Sequence, residues 1–306
     1  MLPLHFFRAF SRSRKLIRRF RPDVIFSKGG AVSVPPALVG KLMGIPIVLH
    51  ESDSVSGRAN RLVSRWARVV CKGFPGEMDN GQWTMDNTRS VSVTRETTNI
   101  FHCPLSIVHS GNPVRPDITR GSKEEGCRLT GFSGHKPVLM ILGGSQGARA
   151  INEIITKSLP DLLNMCDVIH ITGRGKSMTV SNTPSYWSRP FVHEELPHLY
   201  AIATLAISRA GAGFLSELAA NGIPALLVPL RGVGHDHQYH NAKVAALTGG
   251  CLHVEQSDLP SMLIPTVRDV LSDSEKRKRM SMEIRKLHRA DAAERIAREV
   301  LRVSGV

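Results

Sequence analysis

Pro137-Val138-Leu139-Met140-Ile141-Leu142-Gly143-Gly144-Ser145-Gln146-Gly147-Ala148 is the stretch that decides the fold. An unbroken apolar run ends at two glycines, and a helical pattern bearing Ile151, Ile154 and Ile155 begins at once. Strand, tight turn and helix in that order open a βαβ unit, which predicts a parallel sheet. Downstream, Val168-Ile169-His170-Ile171, Leu205-Ala206-Ile207-Ser208 and Ala225-Leu226-Leu227-Val228 continue the series. Upstream, Val24-Ile25-Phe26, Ile47-Val48-Leu49 and Val69-Val70-Cys71 form a second one. The expected class is therefore α/β, with two doubly wound halves. Their boundary is expected in the polar, Gly- and charge-rich stretch from Pro116 to Lys136, where few contacts need to cross, giving domains 1–118 and 119–306. Residues 76–108, rich in Thr, Ser and Asn, read as a loop-rich excursion. The charged segment from Asp273 onward reads as a solvated helix pair.

The composition of the 306 residues agrees with this reading. Hydrophobic residues at 42% and charged residues at 22% are ordinary for a folded chain and exclude disorder, collagen-like repeats and a disulfide scaffold. The cysteines, Cys71, Cys103, Cys127, Cys166 and Cys251, are odd in number and contain no Cys-x-x-Cys pair, so a reducing compartment fits best. With 40 Lys and Arg against 26 Asp and Glu, the formal charge of +14 favours anionic partners. Nucleic acid is not expected, because aromatic residues total 5% and are not interleaved with the basic ones. No stretch approaches the roughly 20 apolar residues of a spanning helix. Residues 1–21 carry Arg8, Arg12, Arg14, Lys15, Arg18, Arg19 and Arg21 with Phe6, Phe7, Phe10, Ile17 and Phe20 among them and no acid. Such a basic amphipathic helix either lies on an anionic bilayer or covers a sheet with its aromatic face.

Chemistry is expected at the Gly-rich turns. Glycines admit an anion close to the backbone, and a helix start offers free N–H groups, so the Gly143–Gly147 turn reads as a diphosphate cradle or as a structural turn. Ser208-Arg209-Ala210-Gly211-Ala212-Gly213 again follows a strand and leads to Ser216 and Glu217. A carboxylate there either accepts hydrogen bonds from a ribose diol or only complements the helix dipole. Ser27-Lys28-Gly29-Gly30 is a third such turn, and the three suggest a cleft between the halves. His235, His237 and His240 fall within six residues, but Asp and His equally suit sugar hydroxyls. The chain has no Asp-x-Asp, so no metal is expected and leaving-group charge must rest on backbone N–H groups, a helix dipole and arginines.

Taken together, Lys28-Gly29-Gly30-Ala31-Val32-Ser33-Val34-Pro35, Leu49-His50-Glu51, Gly111-Asn112-Pro113-Val114-Arg115, Gly143-Gly144-Ser145-Gln146-Gly147-Ala148, Arg209-Ala210-Gly211 with Ser216-Glu217, and Asp236-His237-Gln238 with Asn241-Ala242 resemble in order and spacing the MurG family of peptidoglycan N-acetylglucosaminyltransferases. The resemblance implies a GT-B fold, in which two Rossmann-like domains face a cleft. It implies an inverting, metal-independent transfer of N-acetylglucosamine from UDP-N-acetylglucosamine to undecaprenyl-linked lipid I, giving lipid II, with no cofactor. It places the enzyme in the cytoplasm, peripheral on the inner face of the plasma membrane and in contact with its anionic surface. By the same comparison Gly143, Gly144, Ser145, Gln146 and Gly147 look like the donor diphosphate contact, with Arg115 reaching it. Glu217 looks like the ribose ligand, and Arg209, Ala212, Gly213, Phe214, Leu215 and Ser216 belong to the segment around the nucleotide. His193 matches the position whose backbone reads the uracil edge, and Gln238 and Asn241 look like readers of donor-sugar hydroxyls.

Two departures carry their own expectations. The family's opening Gly-Gly-Thr-Gly-Gly-His turn, whose histidine is a proposed base, has no counterpart here. The expectation is an acceptor-side domain that lacks its first strands and exposes a sheet edge, completed from upstream or by a separate chain, or else left inactive. His50 or Glu51 would then take the acceptor's proton, unless they are a buried pair that shapes the loop. Asp53 stands where the family has Asn, exchanging an amide donor for a carboxylate near the acceptor site. The alternative readings are a lipid-directed transferase acting on diacylglycerol, and a UDP-sugar-binding module without turnover.

Overall fold

The computed structural model describes residues 2–75, 77–79, 82–84, 105–143, 148–176 and 180–305. They form two compact units: Met1–Pro113 with Arg289–Val306, and Val114–His288.

In the first unit, β1 (Ile25–Ser27), β2 (Ile47–Glu51), β3 (Val69–Lys72) and β6 (Ser106–His109) form a parallel sheet in that spatial order. A small antiparallel hairpin, β4 (Glu77–Asp79) with β5 (Gln82–Thr84), lies between β3 and β6 in the chain. Both faces of the sheet are covered, which is why the centres of β2 and β3 are apolar on both sides. Ile47, Leu49 and Val70 pack with Ala37 of α2 (Val34–Leu42) and Val63 of α3 (Arg58–Ser64). Val48, Val69 and Cys71 point the other way and meet Ile296 and Val303 of α11 (Ala292–Ser304). This corrects two expectations. The chain's last helix belongs to the first unit and not to a 119–306 domain, and it is not merely solvated, because its Ile296, Val300 and Val303 stripe covers a sheet face. The expected excursion over 76–108 likewise contains β6 and the hairpin; Ser106 is too polar to announce a strand, but its register against Val69 is parallel and regular.

α1 (Leu2–Phe20) packs against α2, and Ile17 is buried. Its rings do not cover the sheet: Phe7 is 68% and Phe20 86% exposed. β1 pairs only with β2 among the described residues, and Phe26 on it is exposed.

The second unit has six parallel strands in the order β12 (Cys251–His253), β11 (Ala225–Leu227), β10 (Leu205–Ser208), β7 (Val138–Leu142), β8 (Asp167–Ile171), β9 (Tyr186–Arg189). Counted along the chain that is the 3-2-1-4-5-6 arrangement, so the winding direction reverses between β7 and β10. One face packs Leu139, Ile141, Val168, Leu205, Ile207 and Leu226 against α5 (Arg149–Met165) and α9 (Leu259–Ser272). Along the chain, α4 (Lys123–Thr130) precedes β7, α6 (Leu196–Ile202) precedes β10, α7 (Ala212–Asn221) follows it, α8 (His237–Leu247) precedes β12, and α10 (Ser274–Arg285) follows α9. α4 packs on α6 so closely that a Cβ at Gly126 would lie 2.4 Å from the His198 carbonyl oxygen.

Candidate nucleotide site of the second unit

In an open parallel sheet, ligands bind beyond the carboxyl ends of the strands, where the winding reverses. Here that point lies between β7 and β10, and the sequence puts a Gly-rich turn after each. Leu142 and Ser208, the last residues of the two strands, are register partners. The Arg209 N–H donates to the Leu142 carbonyl at 3.4 Å, so the carboxyl ends of the two strands lie side by side. Gly143 is buried and its N–H faces the Ile171 carbonyl at 3.5 Å. Gly144, Ser145, Gln146 and Gly147 lie outside the described residues.

Beyond β10, α7 starts at Ala212 with Gly211 as its N-cap and no side-chain cap, so its first N–H groups have no intrahelical acceptor. Among the described residues, a Cβ at Gly211 or Gly213 would meet nothing within 4 Å, so the space over this helix start is open there. Ser216 is turned inward, its hydroxyl donating to the Ala212 carbonyl at 2.7 Å, and Leu215 is core. Phe214 and Glu217 are half-buried. The Tyr200 hydroxyl donates to Glu217 Oε2 at 2.9 Å. Burial raises the Glu217 pKa, opposed by this hydrogen bond and by the charge of Arg115. Arg115 Nη1 donates to His193 Nδ1 at 3.1 Å and lies 3.7 Å from Asp117. The structure thus gathers Arg115, His193, Tyr200 and Glu217. The His193 N–H donates to Glu195 Oε2 at 3.1 Å, so that carboxylate must yield if the amide is to read a base.

Two expected contacts are braces of the turn. Asn241 is fully buried at 0% exposure, and its amide donates to the Ala210 carbonyl at 3.0 Å. It holds α8 against the turn after β10. Arg209 is also buried, its guanidinium donating to the Val228 carbonyl at 3.0 Å and to Gln256 Oε1 at 2.6 Å. It ties the ends of β10, β11 and β12 together. Gln238 is half-buried, with Oε1 accepting the Leu230 N–H at 3.0 Å. The loop before it is strained: His235 at φ 61° and Asp236 at φ 57° are left-handed without being glycine.

Sequence reasoning missed Tyr200 and a buried network that joins α5, β8 and β9. Asn152, in the first turn of α5, donates to the Thr172 carbonyl at 2.9 Å, and its Oδ1 meets His170 Nε2 at 3.1 Å. His170 Nδ1 meets Tyr186 Oη at 3.1 Å. The only signal was a histidine inside an apolar strand.

In the first unit, His50 is 1% and Glu51 3% exposed. His50 Nε2 faces the Gly111 carbonyl at 3.2 Å, and burial lowers its pKa. Glu51 Oε2 accepts from Asn60 at 2.8 Å, and burial raises its pKa. Both are buried and hydrogen-bonded within the loop, which agrees with the loop-shaping alternative of the sequence reading. Asp53 is half-buried, its N–H donating to Glu51 Oε1 at 3.4 Å. Gly111 has φ +79°, and a Cβ on it would approach Arg289 Cβ to 2.9 Å, so glycine is required twice over.

Residues 138–296 match the glycosyltransferase family 28 C-terminal domain, and residues 2–71 the corresponding N-terminal domain. A Clostridium botulinum protein named UDP-N-acetylglucosamine--N-acetylmuramyl-(pentapeptide) pyrophosphoryl-undecaprenol N-acetylglucosamine transferase is 36% identical over 229 residues, 74% of this chain and 59% of that one. The chain thus aligns with about three-fifths of that relative's length. A protein of the same name from Geobacillus thermodenitrificans is 33% identical over 283 residues, 92% of this chain and 74% of its own. The crystal structure of Acinetobacter baumannii MurG superposes with a TM-score of 0.72 at 25% identity, covering 99% of this chain and 80% of that one. Its likeness agrees with the expected GT-B class.

Proposed function

The chain belongs to glycosyltransferase family 28, and from that premise we propose that it moves N-acetylglucosamine from UDP-N-acetylglucosamine to lipid I, forming lipid II for peptidoglycan synthesis. The observation that carries the donor half is the pairing of the ends of β7 and β10 at the point where the sheet's winding reverses, with Glu217 one turn into the helix that follows β10. The uridine diphosphate lies over the start of α7, where the glycines leave open space and N–H groups point outward. Glu217 accepts from the ribose diol. Arg115, on the same unit, supplies positive charge for the diphosphate. Charge that develops on the departing UDP is met by these fixed donors, which need no reorganisation at the moment of reaction.

The transfer is a single displacement: the acceptor 4-hydroxyl attacks the anomeric carbon as the bond to UDP breaks on the opposite face, inverting that centre. The acceptor's proton leaves to a base, for which His50 and Glu51 remain the candidates of the first unit; each holds one hydrogen bond of its loop, His50 through Nε2 and Glu51 through Oε2. The relatives' names specify an undecaprenyl-linked acceptor, and the rings of α1, exposed beside seven cationic side chains on residues 1–21, suit an anionic membrane surface where such a lipid resides.

The test is transfer of radiolabelled N-acetylglucosamine, with lipid I and with diacylglycerol offered separately in anionic vesicles. Labelled lipid II formed in the presence of EDTA is expected. Label on diacylglycerol alone would reassign the acceptor. UDP binding without transfer to either would favour the binding-module reading, which the burial of His50 and Glu51 supports.

A further inference from the structure

Tyr200 lies in the core of the second unit at 2% exposure, yet its hydroxyl is directed at Glu217, the carboxylate of α7 in the nucleotide site. We propose that Tyr200 is a positioning residue: by donating to Glu217 Oε2 it fixes the carboxylate in the orientation that accepts the ribose diol of a uridine nucleotide. The inference rests on the donor-site reading above and adds to it what makes Glu217 selective for a diol.

A glutamate on a helix surface has several rotamers, and confining it on binding costs affinity. Here the confinement precedes the ligand. The ring of Tyr200 is packed into the unit, so its hydroxyl is a fixed point, and the 2.9 Å contact fixes one oxygen of Glu217. Burial and the neighbouring Glu217 charge raise the phenol's pKa well above its usual value, so Tyr200 stays a donor at all working pH. It has one proton to give and gives it to Oε2; Oε1 and the second lone pair of Oε2 are left for the two ribose hydroxyls. The charged groups acting on Glu217 are Arg115 and Asp117, on the segment before α4, and they act in opposite senses. The Asn221 amide bonds the Glu217 main-chain carbonyl and leaves the carboxylate alone. The plainer account is that a buried phenol needs an acceptor and Glu217 happens to serve. That account predicts lost stability in a variant but no change in how the folded protein tells a ribose from a sugar without hydroxyls.

The experiment is calorimetric binding of UDP and of 2′,3′-dideoxyuridine diphosphate to the full chain, as wild type and as Tyr200→Phe. Loss of a hydrogen bond to a charged group predicts UDP binding about tenfold weaker in Tyr200→Phe, with dideoxy-UDP bound as in wild type. Wild-type UDP affinity also falls on acidification as Glu217 protonates, and in Tyr200→Phe that fall begins at higher pH, because a bond favouring the charged form is gone. Tyr200→Leu serves as the second variant should Tyr200→Phe not fold, with the same expectations. Equal UDP affinity in variant and wild type, or equal weakening of both ligands, overturns the inference. Wild type that binds neither ligand overturns the donor-site reading and this inference with it, a result distinct from an indifferent variant of a protein that binds.

Discussion

Acidification from pH 7 to pH 5 is expected to weaken the second unit, in large part through the fully buried imidazole of His170, and His170→Gln removes that share. His170 has no solvent exposure, and its two ring nitrogens face Tyr186 Oη and Asn152 Oδ1, each at 3.1 Å. Burial lowers its pKa from 6.5 to about 4. The folded value lies below the unfolded one, so the unfolded chain takes up the proton first. The stabilisation is present in full above the unfolded pKa and is lost as pH falls toward the folded one. With those values the loss between pH 7 and pH 5 is about 2 kcal/mol, and about 3 kcal/mol once the group is fully protonated in both states. For a unit of this size that corresponds to about 4–8 °C in melting temperature at pH 5. Thermal melts of wild type and His170→Gln at both pH values isolate the effect. His109, whose pKa burial also lowers to about 4, and His240, His253 and His288, whose pKa values burial also lowers, titrate in both proteins and cancel in the comparison. Wild type should lose those degrees in excess of the variant. Parallel losses in the two proteins would refute the reasoning, as would a His170 resonance that titrates near 6.5.

Other perturbations separate stability from binding. Asn241→Ala leaves the buried Ala210 carbonyl without its donor and should cost about 1–3 kcal/mol in denaturant unfolding, with weaker UDP binding because the turn it braces loosens. Gly213→Ala replaces a helical glycine whose Cβ would meet no neighbour; it should raise stability by about 0.5–1 kcal/mol while lowering UDP affinity, and unchanged affinity would argue that nothing binds over that helix start. Gly126→Ala drives a methyl toward the His198 carbonyl and should lower the melting temperature, whereas Gly57→Ala, with open space around it, should not. Replacing both Phe7 and Phe20 by Ser should leave the melt unchanged and reduce co-sedimentation with phosphatidylglycerol vesicles; undiminished sedimentation would remove α1 from the membrane contact.

The strands that the sequence announced are apolar runs, most of them buried on both faces, with the edge strand β1 and its exposed Phe26 as the exception. β1, β2, β3, β7, β8, β10 and β11 are apolar runs long enough to stand out. β9 begins Tyr-Trp and then turns polar, β12 is three residues including a histidine, and β6 starts with Ser, so their membership comes from pairing with neighbours and not from local composition. α11 misled for a related reason. Its arginines and glutamates dominate the count, while the stripe Ile296, Val300 and Val303 that decides its packing is a minority of its residues. Within the site, Gly211, Gly213 and Glu217 were legible because turn chemistry is local. The roles of Arg209 and Asn241 were not, since both spend their donors on carbonyls contributed by distant strands and turns. Tyr200 gave no sign at all: a lone tyrosine in the pattern Leu196–Ile202 is indistinguishable from core until its hydroxyl is seen to meet Glu217.

The central claim is that the second unit grips uridine diphosphate through main-chain N–H groups and Glu217, with no cation between. Titration calorimetry with UDP in EDTA, on wild type and Glu217→Ala, measures it most directly. Saturable binding by wild type that the substitution abolishes is the predicted result. No binding, binding that requires added magnesium, or equal binding by the variant would contradict it.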